Sequence, residues 1–231
     1  MVSVSRSLSG NYAEVYYPCL TLKNKHRPVC TYRAEFYGKY LDVTDNPDVW
    51  YPLADVGSIA YASRNLTLAT ATGAATETRA VINTTAYSYQ ANFLEATFKI
   101  VGGATGAGGV RNTFFGFASA LSAFPEVERA GFQIDSSGNT YLVYRGGSVA
   151  LSGLSLGRNL AAGDIITVRL DRQDGSANID IIEWYVNGQR QYTSLSIPQA
   201  NCYCGLGVYC DADCSTARTV IIDYFGFEYV P

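Results

Sequence analysis

The chain predicts an all-β fold, a two-sheet antiparallel jelly-roll sandwich with an N-terminal arm. Three observations carry this. Residues 163–171, 179–188 and 219–227 alternate apolar and polar side chains, the period of strands with one buried face. Asn187-Gly188 closes the second run, and an Asn-Gly pair supplies the positive φ that a two-residue hairpin turn demands. Finally, 18 Tyr and 10 Phe in a chain that is 48% hydrophobic and only 16% charged favour cross-strand aromatic pairs and argue against disorder.

From the N-terminus, residues 1–32 read as an arm and residues 33–231 as a single sandwich, a length that one β domain accommodates. In the arm, Cys19 and Cys30 bracket the basic stretch Lys23-Asn24-Lys25-His26-Arg27-Pro28. They are expected to pair, closing a hairpin-sized loop worth about 2–3 kcal/mol. Arg33–Tyr37 resembles a first strand, Asp45-Asn46-Pro47-Asp48 is a turn, and Trp50 opens the body of the domain. Leu66–Thr70 alternates, the Ala/Thr/Gly tract to about residue 75 reads as a loop, and Ala80–Thr84 begins another strand. Leu94, Ala96, Phe98 and Ile100 share one face, with Glu95, Thr97 and Lys99 on the other.

Residues 102–109 are too rich in glycine for a strand interior and predict an exposed loop. They lack the Lys-Ser/Thr of a phosphate cradle, and no amphipathic helix follows. Phe114–Phe117 reads as a buried strand and residues 118–129 as a short helix or loop. Phe132 and Ile134 then alternate, Ser137-Gly138-Asn139 turns, and Tyr141–Tyr144 returns the chain. No internal repeat of solenoid length is visible.

A net charge of −3 without a dense Lys/Arg run supplies little attraction for a phosphate backbone, so nucleic acid is not an expected partner. No run of about 18 apolar residues spans a bilayer, and Met1–Arg6 lacks the apolar core of a secretory leader, so membrane insertion is not expected either. Six cysteines and the sequons at Asn65 and Asn83 point to an oxidising, exposed setting. Cys202, Cys204, Cys210 and Cys214 are expected to form two disulfides tying a strand to a loop, with partly free thiols or a tetrahedral zinc as alternatives.

A Gly-Asp-hydrophobic strand, a strand ending Trp184-Tyr185-Val186-Asn187-Gly188 and a closing aromatic strand together resemble the concanavalin A-like lectin/glucanase superfamily. The resemblance covers about 180 residues. It implies a glycan-binding or glycan-cleaving heritage. The glucanases of this fold carry Glu-x-Asp-x-Glu or Glu-x-Asp-x-x-Glu on one strand, where alternate side chains act as nucleophile and acid. That spacing is absent. The nearest stretches are Glu126-Val127-Glu128, beside Pro125, and Gln133-Ile134-Asp135-Ser136-Ser137, which holds no glutamate. A Ser/His/Asp triad has only His26 to draw on, between Lys25 and Arg27, and no nucleophile elbow accompanies it.

Lectins of this fold hold sugar with aromatic faces and with an Asp and an Asn near calcium. Asp135, Asn139, Asp171, Asp174 and Asn178 occupy loops or turns here without forming a compact acidic run, so no metal or cofactor is expected. Tyr141, Tyr144 and Arg145 are the candidate sugar platform, aromatic faces and a planar guanidinium suiting a pyranose ring, against the plain reading of wet-face strand residues. Trp50 and Trp184 read as packing residues.

The expected function is non-catalytic. The first expectation is a structural or attachment protein of a virion or similar extracellular assembly, partnered by copies of itself or other subunits. A chain opening at Met1 with no leader fits a particle assembled inside a cell and then released. The alternatives are a soluble carbohydrate-binding module that contacts cell-surface glycan, and a glycoside hydrolase.

Overall fold

A computed structural model describes residues 19–21, 28–35, 51–54, 57–63, 65–72, 76–81, 93–103, 113–118, 129–135, 137–146, 149–172, 180–194, 202–210 and 217–230. All regular elements among them are strands. In chain order they are β1 (Cys19–Thr21), β2 (Pro28–Glu35), β3 (Tyr51–Ala54), β4 (Ser58–Ala62), β5 (Asn65–Ala69), β6 (Thr76–Val81), β7 (Phe93–Gly103) and β8 (Thr113–Ala118). There follow β9 (Arg129–Ile134), β10 (Thr140–Gly146), β11 (Val149–Ser155), β12 (Ile165–Arg172), β13 (Asp180–Val186), β14 (Gln189–Ser194), β15 (Tyr203–Cys210) and β16 (Thr219–Val230).

Two sheets form, with every pairing antiparallel. The larger has nine strands and runs β1-β2-β16-β7-β12-β13-β14, with β5 on β16 and β4 on β5; the smaller runs β11-β10-β9-β8-β15-β6-β3. β2 spans the expected boundary at residue 32 and pairs with β16 from Cys30 to Glu35, so the larger sheet begins within the segment read as an arm. Cys19 and Cys30 are register partners in the β1–β2 pair; their side chains lie outside the described residues.

Alternation decides which side chains meet between the sheets. β7 buries Leu94, Ala96, Phe98 and Ile100, β12 buries Ile166, Val168 and Leu170, and β13 buries Ile182, Trp184 and Val186. The smaller sheet answers with Phe115, Phe117, Phe132, Leu142, Tyr144, Leu206 and Val208. Aromatic rings interleave across the gap, with Phe98 lying 5.4 Å from Phe115 and Phe117 lying 6.4 Å from Phe227. β16 changes phase on the way: Val220 and Ile222 point inward, then Phe225 and Phe227 do so, because its register against β7 shifts on either side of Ile222. A bulge of this kind returns the apolar set to the core after an odd-numbered step.

The sheets are also hydrogen-bonded to each other. The indole Nε1 of Trp184 donates to the carbonyl oxygen of Gly131 at 2.8 Å inside the core. Gly131 faces Gly116 across the β8–β9 pair. A Cβ on Gly131 would lie 2.0 Å from the Phe115 oxygen, and one on Gly116 2.3 Å from the Ala130 oxygen, so only glycines allow this approach.

Two outermost strands are blunted. In β14 the register passes from Tyr192 to Arg190, leaving Gln191 as the extra residue, and its side-chain amide donates to the Gln189 carbonyl at 2.8 Å. In β11 the register against β10 shifts at Ser152-Gly153, where Gly153 has φ 51°. Bulges and self-satisfied backbone groups hinder addition of another strand.

Candidate functional site

Two of the three segments that carried the resemblance touch each other. Asp164, ahead of β12, accepts two hydrogen bonds from the Arg158 guanidinium at 2.8 and 3.1 Å, one from the Ala161 amide at 2.8 Å and one from Asn187 Nδ2 at 2.8 Å. Asn187 Oδ1 in turn accepts from the Ile165 amide at 2.9 Å. Asn187 and Gly188 have φ of 51° and 75°, the two positive values that the hairpin turn was expected to need. The donation from Arg158 chiefly, with the other donors, overrides burial and holds the Asp164 carboxyl at about 2. This clamp fastens the loop before β12 to the β13–β14 hairpin.

That loop packs beside a second one. The Leu156 amide donates to the Thr140 carbonyl at 2.9 Å and the Leu160 amide to the Thr140 hydroxyl at 3.2 Å. Thr140 begins β10, directly after the turn between β9 and β10. Asp135 organises that turn: its Oδ1 accepts from the Ser137 and Asn139 amides at 2.8 and 2.9 Å, and its Oδ2 from Asn139 Nδ2 at 2.9 Å and the Tyr141 hydroxyl at 3.2 Å. Partial burial pushes this carboxyl up, but the bonds from Asn139, Ser137 and Tyr141 outweigh it and the net shift is downward. Asn139 is exposed and Tyr141 half-buried, its ring lying 3.2 Å from where a side chain on Gly153 would begin.

The expected platform of Tyr141, Tyr144 and Arg145 does not assemble. Tyr144 is 2% exposed and belongs to the main core, whereas Tyr141 lies with Phe114, Ala118 and Val143 on the opposite face of the smaller sheet. Residues three apart on a strand point to opposite faces, a signal the sequence already contained. Arg145 pairs with Arg129 across β9–β10, and its side chain lies outside the described residues.

The cysteine expectation is corrected for Cys202 and Cys204, which are free and buried in the core. Burial pushes Cys202 up to about 12 and, with the neighbouring Cys202, pushes Cys204 well above its ordinary value. Cys210 ends β15 six residues beyond Cys204, about 20 Å along an extended strand and far outside disulfide reach. Asn65 opens β5 at a tight hairpin and is half-buried. His26, Trp50, Asn83, Glu126, Glu128, Asp174, Asn178 and Cys214 lie outside the described residues. Among those described, no group of three or more His, Cys, Asp or Glu is placed to hold a metal ion.

Sequence reading missed a cross-strand ladder on the outer face of the larger sheet. Arg169 lies opposite Glu95 and Glu183, approaching them at 2.6 and 3.6 Å, and Arg190 reaches Glu183 at 3.0 Å. The Arg169 guanidinium stands over the rings of Phe93 and Tyr185. Burial raises the pKa of Glu183, but the Tyr185 hydroxyl, the Arg190 hydrogen bond and the Arg169 charge outweigh it and leave it lowered. Only register brings these residues together.

No family model and no curated protein matches this sequence. Solved structures do match. A protein of unknown function, SO2946 from Shewanella oneidensis MR-1, superimposes with TM-score 0.60 at 14% identity, over 92% of this chain and 90% of that one. The Emp47p carbohydrate recognition domain gives 0.54 at 12% identity, over 80% and 90%. A Bacillus licheniformis β-glucanase gives 0.52 at 15% identity, over 87% and 98%. Identities this low speak to architecture alone, and the architecture is a two-sheet antiparallel sandwich of concanavalin A-like fold.

Proposed function

We propose that the chain is a non-catalytic recognition module that binds carbohydrate at the Asn139–Tyr141 end of the sandwich, serving as an attachment or structural subunit at a virion or other extracellular surface. The observation that carries this reading is the Asp135 turn. Its four internal hydrogen bonds hold an exposed amide, Asn139, beside the half-buried ring of Tyr141. An ordered amide next to an aromatic surface suits a sugar's hydroxyls and its apolar face, with little ordering left to be done on binding. The likeness to a carbohydrate recognition domain supports the same reading.

Hydrolysis is disfavoured on chemical grounds. A glycosidase acid needs a raised pKa beside a second carboxylate. Glu183 is lowered and, with Glu95, is paired to Arg169. Along β8 and β9 the positions facing away from the core include Phe114, Gly116, Ala118, Gly131 and Gln133, none of them acidic.

Titration calorimetry with a mannose-terminated oligosaccharide, methyl α-galactoside and a mixed-linkage β-glucan oligosaccharide tests the reading. At least one is expected to bind, and Asn139→Ala and Tyr141→Ala are each expected to weaken it about tenfold or more, the loss of a single good contact. Release of reducing sugar from the glucan, or binding indifferent to both substitutions, refutes it. Light scattering tests the assembly role: particles or a defined oligomer are expected, and a monomer at all concentrations removes that part.

A further inference from the structure

We propose that the Asp135–Asn139 turn is held by the buried guanidinium of Arg218 in the role a divalent cation could otherwise play, so that carbohydrate binding beside it needs no calcium. The ligand clause rests on the recognition reading above; the clause about the turn stands without it.

Two independent observations lead here. The first is the state of the carboxylate. An ionised Asp offers about four lone-pair positions, and Asp135 has four donors on them: two backbone amides, the Asn139 amide and the Tyr141 hydroxyl. Calcium binds through carboxylate and carbonyl oxygens, so an ion arriving at Asp135 would have to displace donors that define the turn, the Tyr141 hydroxyl among them.

The second is the charge beneath it. Arg218 is 0% exposed, and its Nη1 donates to the main-chain carbonyl of Asp135 at 3.3 Å. The same carbonyl accepts from the Gly138 amide at 3.1 Å, while the Asp135 amide donates to the Asn139 carbonyl at 3.0 Å. Arg218 is itself fixed to Thr70, the residue that follows β5. Its amide donates to the Thr70 hydroxyl at 2.8 Å, and its carbonyl accepts from the Thr70 amide at 2.9 Å. Taking a guanidinium out of water is costly, so each hydrogen bond it keeps, the one to the turn among them, matters to where it sits. A guanidinium donating to the turn's own carbonyl therefore occupies that oxygen as a bound cation would. Arg218 touches the turn and not the ligand, which makes it a positioning residue that sets where Asn139 and Tyr141 stand.

Hydrogen exchange of the Ser137, Gly138 and Asn139 amides, followed in EDTA and in millimolar calcium chloride, tests the turn. Equal rates are expected, and protection that grows with calcium overturns the proposal. Arg218→Lys and Arg218→Met are expected to speed exchange of these three amides about tenfold, with Phe115 and Val168 in the core keeping their protection and calcium failing to restore the turn. Turn protection unchanged from the wild type refutes the positioning role; should Arg218→Met not fold, Arg218→Lys decides alone. Terbium luminescence sensitised by tyrosine adds a direct probe: an emission that Asp135→Ala abolishes would reveal an ion at the turn and sink the idea. For the ligand clause, the sugars named above are titrated in both buffers. Equal affinity is expected and calcium-dependent affinity overturns it. Absence of binding in either buffer removes the carbohydrate reading and the ligand clause with it, while the exchange rates still decide the turn.

Discussion

Asp164→Asn is the sharpest probe of the clamp that joins the loop before β12 to the β13–β14 hairpin. The substitution keeps size and shape and removes the charge. Lowering the carboxyl from its ordinary 3.8 to about 2 corresponds to roughly 2 kcal/mol of preference for the ionised form in the folded chain. The share from Arg158, whose side chain is 44% exposed, is reduced by solvent and salt; the share from the Ala161 amide and Asn187 is better shielded. A loss of about 1–2 kcal/mol at neutral pH follows, seen as a fall of some 2–8 °C in the melting temperature of a chain this size. The sign with pH is fixed by the direction of the shift. A depressed folded pKa stabilises above the unfolded value near 3.8, and that stabilisation is lost as pH falls through about 2. Urea titrations of wild type and Asp164→Asn are therefore expected to differ by a constant amount from pH 5 to 8 and to converge only below about pH 2. Equal stability at pH 7, or a gap that does not shrink in acid, would show that the contacts around Asp164 do not hold the loop.

Other outcomes follow from the core. Trp184→Phe keeps most of the apolar volume but removes the buried indole hydrogen bond to the Gly131 carbonyl, now 2.8 Å, and is expected to cost about 1–3 kcal/mol in urea unfolding; an unchanged midpoint argues that this bond does not help to hold the two sheets together. Cys202 and Cys204, buried in the core, should resist a thiol reagent in the native protein and react only on unfolding; rapid native labelling of either, traced by peptide mapping, contradicts their placement. Gly131→Ala would set a methyl 2.0 Å from the Phe115 oxygen and is expected to destabilise by more than about 3 kcal/mol or to prevent folding; a soluble variant with wild-type melting shows that the β8–β9 pair can part without penalty.

How much of this was legible in advance depends on the range of the interaction. The faces of β7, β12 and β13 follow from alternation inside a few residues, and the Asn187-Gly188 turn from the φ those two residues tolerate; both are local properties and both are found as read. The candidate site was half visible. Asp135, Asn139 and Tyr141 were all singled out, yet as separate loop and strand residues, because nothing in their spacing says that one carboxylate gathers the rest. Arg218 was not noticed at all. An arginine after a short polar stretch looks like surface, and only the contact with Thr70 and Asp135, 148 and 83 positions away in sequence, places it inside.

By itself the sequence determined that this chain makes strands, which of their side chains seek the core and that no glucanase acid pair is spaced along one strand, because each of these depends on neighbours a few bonds apart. Tertiary structure alone decided which strands lie side by side, that β16 shifts phase partway, that two thiols end buried and unpaired, and that Glu95, Arg169 and Glu183 form a ladder. Those outcomes rest on register between segments far apart in the chain, and sliding one strand by a single residue would reverse every face it presents.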